Sequence, residues 1–225
     1  MSYSWEWSVV GAYFPALLRG AWLTIELTAA SILFGTLLGI VAGVMRASSV
    51  RVLRWSVAIY IEIFLALPVL VLLIWVYYCV PILFPGVTLS NIATAILVLA
   101  LSLGAFVAEI VRAGITGIPR SQVEVAWSMG ISGLATLQHI ILPQAIRLMI
   151  PPLMGQYITC WKLSSLASVI AVYELVHSAQ NVISVTYRPL ELYTAVAVFY
   201  LAMILPVNLI LKRFELVPST AQRPG

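Results

Sequence analysis

Apolar residues in this chain do not alternate with polar ones; they run on. Near-continuous hydrophobic stretches cover residues 21–45, 55–80, 92–110, 146–171 and 190–211. Each suits the roughly 20 residues that an α-helix needs to cross a bilayer. A spanning β-barrel would alternate apolar and polar positions, so the pattern predicts an all-α polytopic membrane protein with five transmembrane helices. Two of the five look irregular. The second contains Pro68 and is closed by Pro81, Pro85 and Gly86; the fourth holds Pro151, Pro152, Gly155, Gln156, Lys162, Ser164 and Ser165 and reads as a broken helix. A polar segment from Tyr173 to Pro189 precedes the last span.

The longest departure from the pattern lies between Arg112 and Arg147. Pro119 suits a helix start, and Ser121 with Glu124 three residues later matches a capping box. The helix so predicted runs to Met129, with Gly130 as its stop, permitting a tight exit that a Cβ would obstruct. Ser132 can cap a second helix carrying Leu134, Leu137, Ile140 and Ile141, which Pro143 ends or kinks. A short helix showing Val123 and Trp127 is well made for a groove on another protein; the plain alternative is a folded loop with no partner.

Composition and charge sharpen this picture. The 225 residues are 62% hydrophobic and 9% charged, with a mean hydropathy of +1.06, too little polar surface to cover a soluble core. No linker or repeat divides the chain, so residues 1–225 read as one transmembrane domain, with 20–214 its core and 113–146 a cytoplasmic loop. The N-terminus lacks a basic leader, so no cleavable signal peptide is expected, and its Trp and Tyr residues suit an interfacial anchor. Five spans place Arg46, Arg51, Arg54, Arg112, Arg120, Arg147, Lys212, Arg213 and Arg223 on one side, against Arg19 and Arg188 on the other. The positive-inside rule then sets the N-terminus outside and the C-terminus in the cytoplasm. The net charge of +4 is spread along the chain and predicts no nucleic-acid partner.

The residues of the interruption also resemble a known pattern. Glu124-Val125-Ala126, then Gly130, then Ile140-Ile141-Leu142-Pro143 is similar to the EAA loop of binding-protein-dependent ABC importer permeases, with Val125 in place of the usual second alanine. The stretch from Ala108 through Glu109 and Arg112 to Ile115 resembles the lead-in to that loop in polar amino acid permeases. Leu142-Pro143-Gln144-Ala145-Ile146-Arg147 and Ser165 to Ile170 followed by Glu174-Leu175 do so too. Together they point to the histidine/glutamine/glutamate/arginine/opine branch, over about Gly20 to Phe214. Two places depart from that branch: Leu65-Ala66-Leu67-Pro68 stands for Arg-Gly-Thr-Pro, and Lys162-Leu163-Ser164-Ser165 for Lys-Asp-[Ser/Thr]-Ser. Both fall near the expected translocation path and leave the coupling loop untouched.

The resemblance implies a bacterial inner-membrane permease subunit translocating polar amino acids or similar small solutes by alternating access. Its implied partners are a cytoplasmic ATPase dimer, a second permease chain (itself or a paralogue), an extracytoplasmic solute-binding protein, the solute and membrane lipid. The residues expected to couple to the ATPase are Glu124, Val125, Ala126, Trp127, Gly130, Leu142 and Pro143. Glu62, Pro68, Lys162, Ser164 and Ser165 are candidates for the substrate path. Lys162 is expensive in hydrocarbon, so it faces a cavity or snorkels to the interface. Glu109 and Arg112, spaced i, i+3, form either a local ion pair or an inner gate. Glu191 is placed at the outer rim.

Other chemistries lack their residues. No Walker loop is present, so ATP hydrolysis belongs to a separate subunit and the chain itself is not an enzyme. Cys79, Cys160, His139 and His177 have no metal-ligand spacing, and no catalytic residue, metal or cofactor is expected. The rival reading, an ion-coupled secondary transporter or channel subunit, would need a carboxylate relay or an internal repeat, and the chain contains no Asp.

Overall fold

The computed structural model describes residues 3–48 and 50–215, with side chains as far as Leu209. Arg223 lies outside the described residues, as do the side chains of Lys212 and Arg213. Nine α-helices follow in order among the described residues. They are α1 (Ser8–Ala47), α2 (Arg51–Ala66), α3 (Val69–Leu83), α4 (Asn91–Thr116), α5 (Arg120–Ser128), α6 (Gly133–Thr136), α7 (Leu142–Leu163), α8 (Leu175–Thr186) and α9 (Pro189–Glu215). α1, α4 and α9 are each long and apolar enough to span a membrane, and two bent helix pairs raise the count to five. The all-helical, polytopic expectation agrees with this.

Span boundaries shift where local chemistry overrides hydropathy. The first helix begins at Ser8 rather than Ala21 and runs 40 residues, about 60 Å, well beyond the roughly 30 Å hydrocarbon core. The expected second span is two helices, α2 and α3, bent by 105°. Pro68 is the reason: it donates no hydrogen bond back along α2 and caps α3 with an extended ψ of 133°. The fourth span corrects the expectation the other way. α7 passes through Pro151 and Pro152 without a break, and the break falls later, in a 3-10 turn from Ser164 to Ile170. That turn ends at Ala171 in the left-handed region, φ 54°. Asn91 at the start of α4 donates to the Ile170 carbonyl at 2.8 Å, so one carbonyl freed at the break is answered within the protein.

The polar segment after it is also a helix. α8 buries Leu175, Ala179 and Val182 against α1 and α9, in a cluster with Leu17, Ala21 and Leu192. Glu174 caps it, accepting from Val176 N–H and His177 N–H at 2.9 Å each. Its hydrophilic look comes from the face that is not packed.

The centre of the molecule is the seam between α1 and α4. Gly35, Gly39 and Gly43 recur every four residues on α1, facing α4. A Cβ on Gly39 would sit 2.4 Å from Val107 Cβ, and one on Gly43 2.6 Å from Val111 Cβ. Small residues at this spacing let two membrane helices close to backbone contact. Hydropathy does not register the stripe; the small-x-x-x-small spacing does.

The segment before α1 is tied down. Glu191, expected at a rim, is buried and accepts hydrogen bonds from the Tyr3 hydroxyl and the Glu6 N–H, the latter at 2.8 Å. Arg188 pairs with Glu6 at 2.6 Å and donates to the Ser4 carbonyl at 2.8 Å. The hydrogen bond to Glu191, with burial behind it, raises the Tyr3 pKa above the ordinary phenol value.

Candidate functional site

Between α4 and α7 the chain leaves the bundle and makes a short helix of its own. Pro119 is the N-cap of α5, and no side chain caps it. The Ser121–Glu124 capping box is therefore not formed: the helix starts two residues too early for Ser121 to cap it, and Glu124 is left exposed to solvent. The other end follows the sequence closely. Gly130 adopts φ 74°, Gly130 N–H bonds to the Trp127 carbonyl and Ile131 N–H to the Ala126 carbonyl, both at 3.0 Å. This is a Schellman exit. A Cβ at Gly130 would meet nothing within 4 Å, which corrects the expectation of steric obstruction. The glycine is required by its backbone angle alone.

What α5 shows outward is apolar. Ala126 is buried, whereas Val125, Trp127 and Met129 are 57%, 60% and 72% exposed. Leu134, Leu137 and Leu142 are exposed beyond it. An uncovered apolar patch rimmed by Glu124 and Arg120 marks an interaction surface. Gln144 at the start of α7 donates to the Gln122 side chain at 2.7 Å, fastening α5 to the bundle.

Pro143 neither ends nor kinks the second helix. Ser132 caps α6 by accepting from Ala135 N–H at 3.4 Å, and the helix widens into a π turn from Leu137 to Ile141. It then continues into α7. The π turn lies immediately before Pro143, whose missing N–H leaves the helix ladder short of one bond. α6, the π turn and α7 thus run on as one continuous helix from Gly133 to Leu163.

The remaining candidates separate. Glu109 and Arg112 form an ion pair, Nη2 to Oε2 at 2.8 Å, with Arg112 Nε donating to the same oxygen at 2.8 Å. Glu109 lines a groove of about 490 Å³ with Ala113, Leu148 and Pro152, between α4 and α7. Lys162 and Ser165 line a second groove, also about 490 Å³, between α7 and α9. Ser164 is buried and donates to the Trp161 carbonyl at 2.7 Å. Glu62 is exposed on α2, and Pro68 is exposed at the bend. Neither shares a cavity with Lys162 among the described residues. A smaller void of about 20 Å³, unforeseen from the sequence, lies between Val69, Ser102, Gln156 and Thr159. The Ser102 hydroxyl is buried there without a hydrogen-bond partner among the described residues.

An exposed helix between spans, exiting through a glycine and leading by a π turn into the next span, is one half of the comparison with known proteins. The other half is sequence. Residues 35–216 match the family described as the binding-protein-dependent transport system inner membrane component. The chain belongs to this family. It is similar to the glutamine transport system permease protein GlnP of Escherichia coli, 32% identical over 210 residues covering 93% of this chain and 96% of that one. It also resembles the L-cystine transport system permease protein TcyB of Bacillus subtilis, 38% identical over 177 residues, 78% of this chain and 75% of that one. A crystal structure of an amino acid ABC transporter with histidines superposes with a TM-score of 0.88 at 31% identity, over 95% of this chain and 99% of that chain. An inward-facing structure of the MetNI methionine ABC transporter shares the fold, with a TM-score of 0.73 at 21% identity over 90% and 95% of the two chains. This permease subunit is a polytopic membrane component of an ABC importer.

Proposed function

We propose that this permease passes a polar amino acid across the bacterial inner membrane, paired with a second permease chain and driven by a cytoplasmic ATPase dimer. The observation that carries the coupling role is α5, which holds Glu124, Val125 and Trp127 outward on a chain of this family. ATP binding draws the two ATPases together; α5, seated in a groove on one of them, moves with it. The π turn and α7 carry the displacement into the membrane, where access to the path alternates. A solute-binding protein delivers the solute from outside. The charge asymmetry of the loops supports a cytoplasmic α5.

The amino acid class is supported by GlnP and TcyB, whose names state glutamine and L-cystine. Lys162 and Ser165 belong to the path because they line a groove between α7 and α9, whereas Glu62 and Pro68 lie outside that groove. Glu109 and Arg112 sit on the cytoplasmic half of α4, suited to an inner gate. A secondary transporter would need no soluble ATPase and no α5, and family membership leaves that reading without support.

The test is reconstitution of the permease with its ATPase and binding protein in proteoliposomes. Uptake of L-glutamine that requires ATP and loaded binding protein is expected. Uptake driven by an ion gradient without ATP would remove the reading. Topology is checked separately: a reporter near Gly86 or Val182 is expected to be active only outside, and a cytoplasmic signal at Gly86 would overturn the placement of α5.

A further inference from the structure

The turn between α1 and α2 gathers positive charge that nothing in the chain offsets. Arg46 stands in the last turn of α1, Arg51 and Arg54 open α2, and no acidic residue occurs between Glu26 and Glu62. A cation suits the carbonyl end of a helix, where Arg46 sits, but is disfavoured at the amino end, where the other two sit. α2 has no side-chain cap and no acid in its first turn. None of the three arginines has an ion pair among the described residues, and Arg46 Nε is buried without a hydrogen-bond partner among them. Glu62, the next acid along α2, lies about 12 Å beyond Arg54. The positive-inside rule accounts for basic residues in this loop but is indifferent to where in it they sit. Beside them runs an apolar lane. Val52, Trp55, Ile59 and Ile63 recur at three- and four-residue intervals and are all exposed, Val52 77% and Trp55 63%, while Val57, Ala58 and Ile61 pack inward. The lane is about 17 Å long, close to the roughly 15 Å of hydrocarbon in one leaflet.

We infer that the head of α2 binds an anionic phospholipid, its phosphate held by Arg51 and Arg54 with Arg46 beside them, and one acyl chain lying along Val52, Trp55, Ile59 and Ile63. The site needs only the membrane-spanning fold and is independent of the solute. Guanidinium forks match phosphate oxygens, and each basic residue near an anionic lipid surface strengthens the attraction by about fivefold. Trp55, at the border of the two halves, suits the interface, with its ring in the apolar layer and its N–H towards the headgroups. An acidic protein surface would answer the arginines but leave a lane at hydrocarbon depth uncovered. A zwitterionic lipid would cover the lane but set its own cation against the arginines. The occupant that satisfies both halves carries a net negative headgroup on hydrocarbon chains, as phosphatidylglycerol does.

The experiment is tryptophan quenching in the purified permease–ATPase complex, reconstituted into phosphatidylcholine vesicles. The vesicles hold a minor fraction of acyl-brominated phosphatidylglycerol or, in parallel, acyl-brominated phosphatidylcholine. Subtracting the signal of Trp55→Phe isolates Trp55 from the other tryptophans. Phosphatidylglycerol is expected to quench Trp55 with a relative binding constant about tenfold above phosphatidylcholine, and high salt is expected to shrink the difference. Arg51→Gln with Arg54→Gln is expected to bring the two lipids to within about twofold of each other. If that pair fails to assemble, Arg54→Gln alone is expected to lower the preference about fivefold. Equal quenching by the two lipids in the wild-type complex, or a preference that survives the arginine variants, overturns the site. No Trp55-dependent quenching by either lipid also overturns it, because protein then covers the lane. Loss of the preference on adding millimolar glycerol phosphate would make the head of α2 a site for a soluble phosphate and overturn the lipid. Each of these results leaves the permease function standing.

Discussion

The α1–α4 seam and α5 are opposite solutions to the placing of a glycine. At the seam, Gly39 is there because a neighbouring helix occupies the space where a side chain would be. At the end of α5, Gly130 is surrounded by open space and is there because the backbone turns left-handed, φ 74°. One glycine serves the protein's own packing. The other shapes a helix whose apolar side is uncovered in the isolated chain. A position pressed against a neighbouring helix and a position in open space can share a residue type and differ in what a substitution does.

That difference can be broken most forcefully at Gly39. Gly39→Leu places a branched side chain into Val107, and overpacking of a core costs about 1–3 kcal/mol or more where the backbone cannot move apart. Loss of the monodisperse peak on size-exclusion chromatography is expected, and a variant that elutes and melts like wild type would show the seam to be plastic.

Gly130→Asp tests the other side. A non-glycine residue in the left-handed region costs about 1–2 kcal/mol, which the open site cannot relieve by repacking. The chain is expected to insert and elute normally, while ATP turnover loses its stimulation by loaded binding protein. Gly130→Asn, which tolerates that region better, is expected to retain more stimulation than the aspartate. Full stimulation in Gly130→Asp would detach α5 from coupling.

Glu124→Lys probes the surface without touching the fold. Exposed substitutions of this kind change stability by about 0.5 kcal/mol or less, so the melting curve is expected to hold. Retention of the ATPase on the tagged permease is expected to fall. Unchanged retention would reduce Glu124 to a solvated residue.

The smallest effect is expected at the fastening. Gln144→Leu removes the 2.7 Å hydrogen bond to Gln122, worth about 1 kcal/mol. Faster amide hydrogen exchange in α5, with α7 unchanged, is the expected readout; equal exchange would mean α5 is held by its apolar contacts alone.

Legibility followed the range of the interactions. The helical class and the loop between the third and fourth spans were readable because they rest on runs of residues near in sequence. The Gly130 exit was readable for the same reason, since a Schellman turn closes within six residues. The capping box was not formed, because Pro119 can start α5 without Ser121. Prolines misled in both directions. Pro68 breaks its span, where the hydropathy run suggested continuity, and Pro151–Pro152 lie within an unbroken helix. Periodicity cannot say whether the carbonyls released by a proline find another partner.

The sequence by itself determined that this protein crosses a membrane, where its polar interruption lies and to which family it is similar, because composition and local spacing carry those. Only the tertiary structure decided that Glu191 is buried under Tyr3 and Glu6, that Lys162 shares a groove with Asn208 while Ser164 does not, and that Gly130 stands in open space. Those depend on which helices meet. Residues 162 and 208 come to line one groove through the packing of α7 on α9, which no local pattern in the chain records.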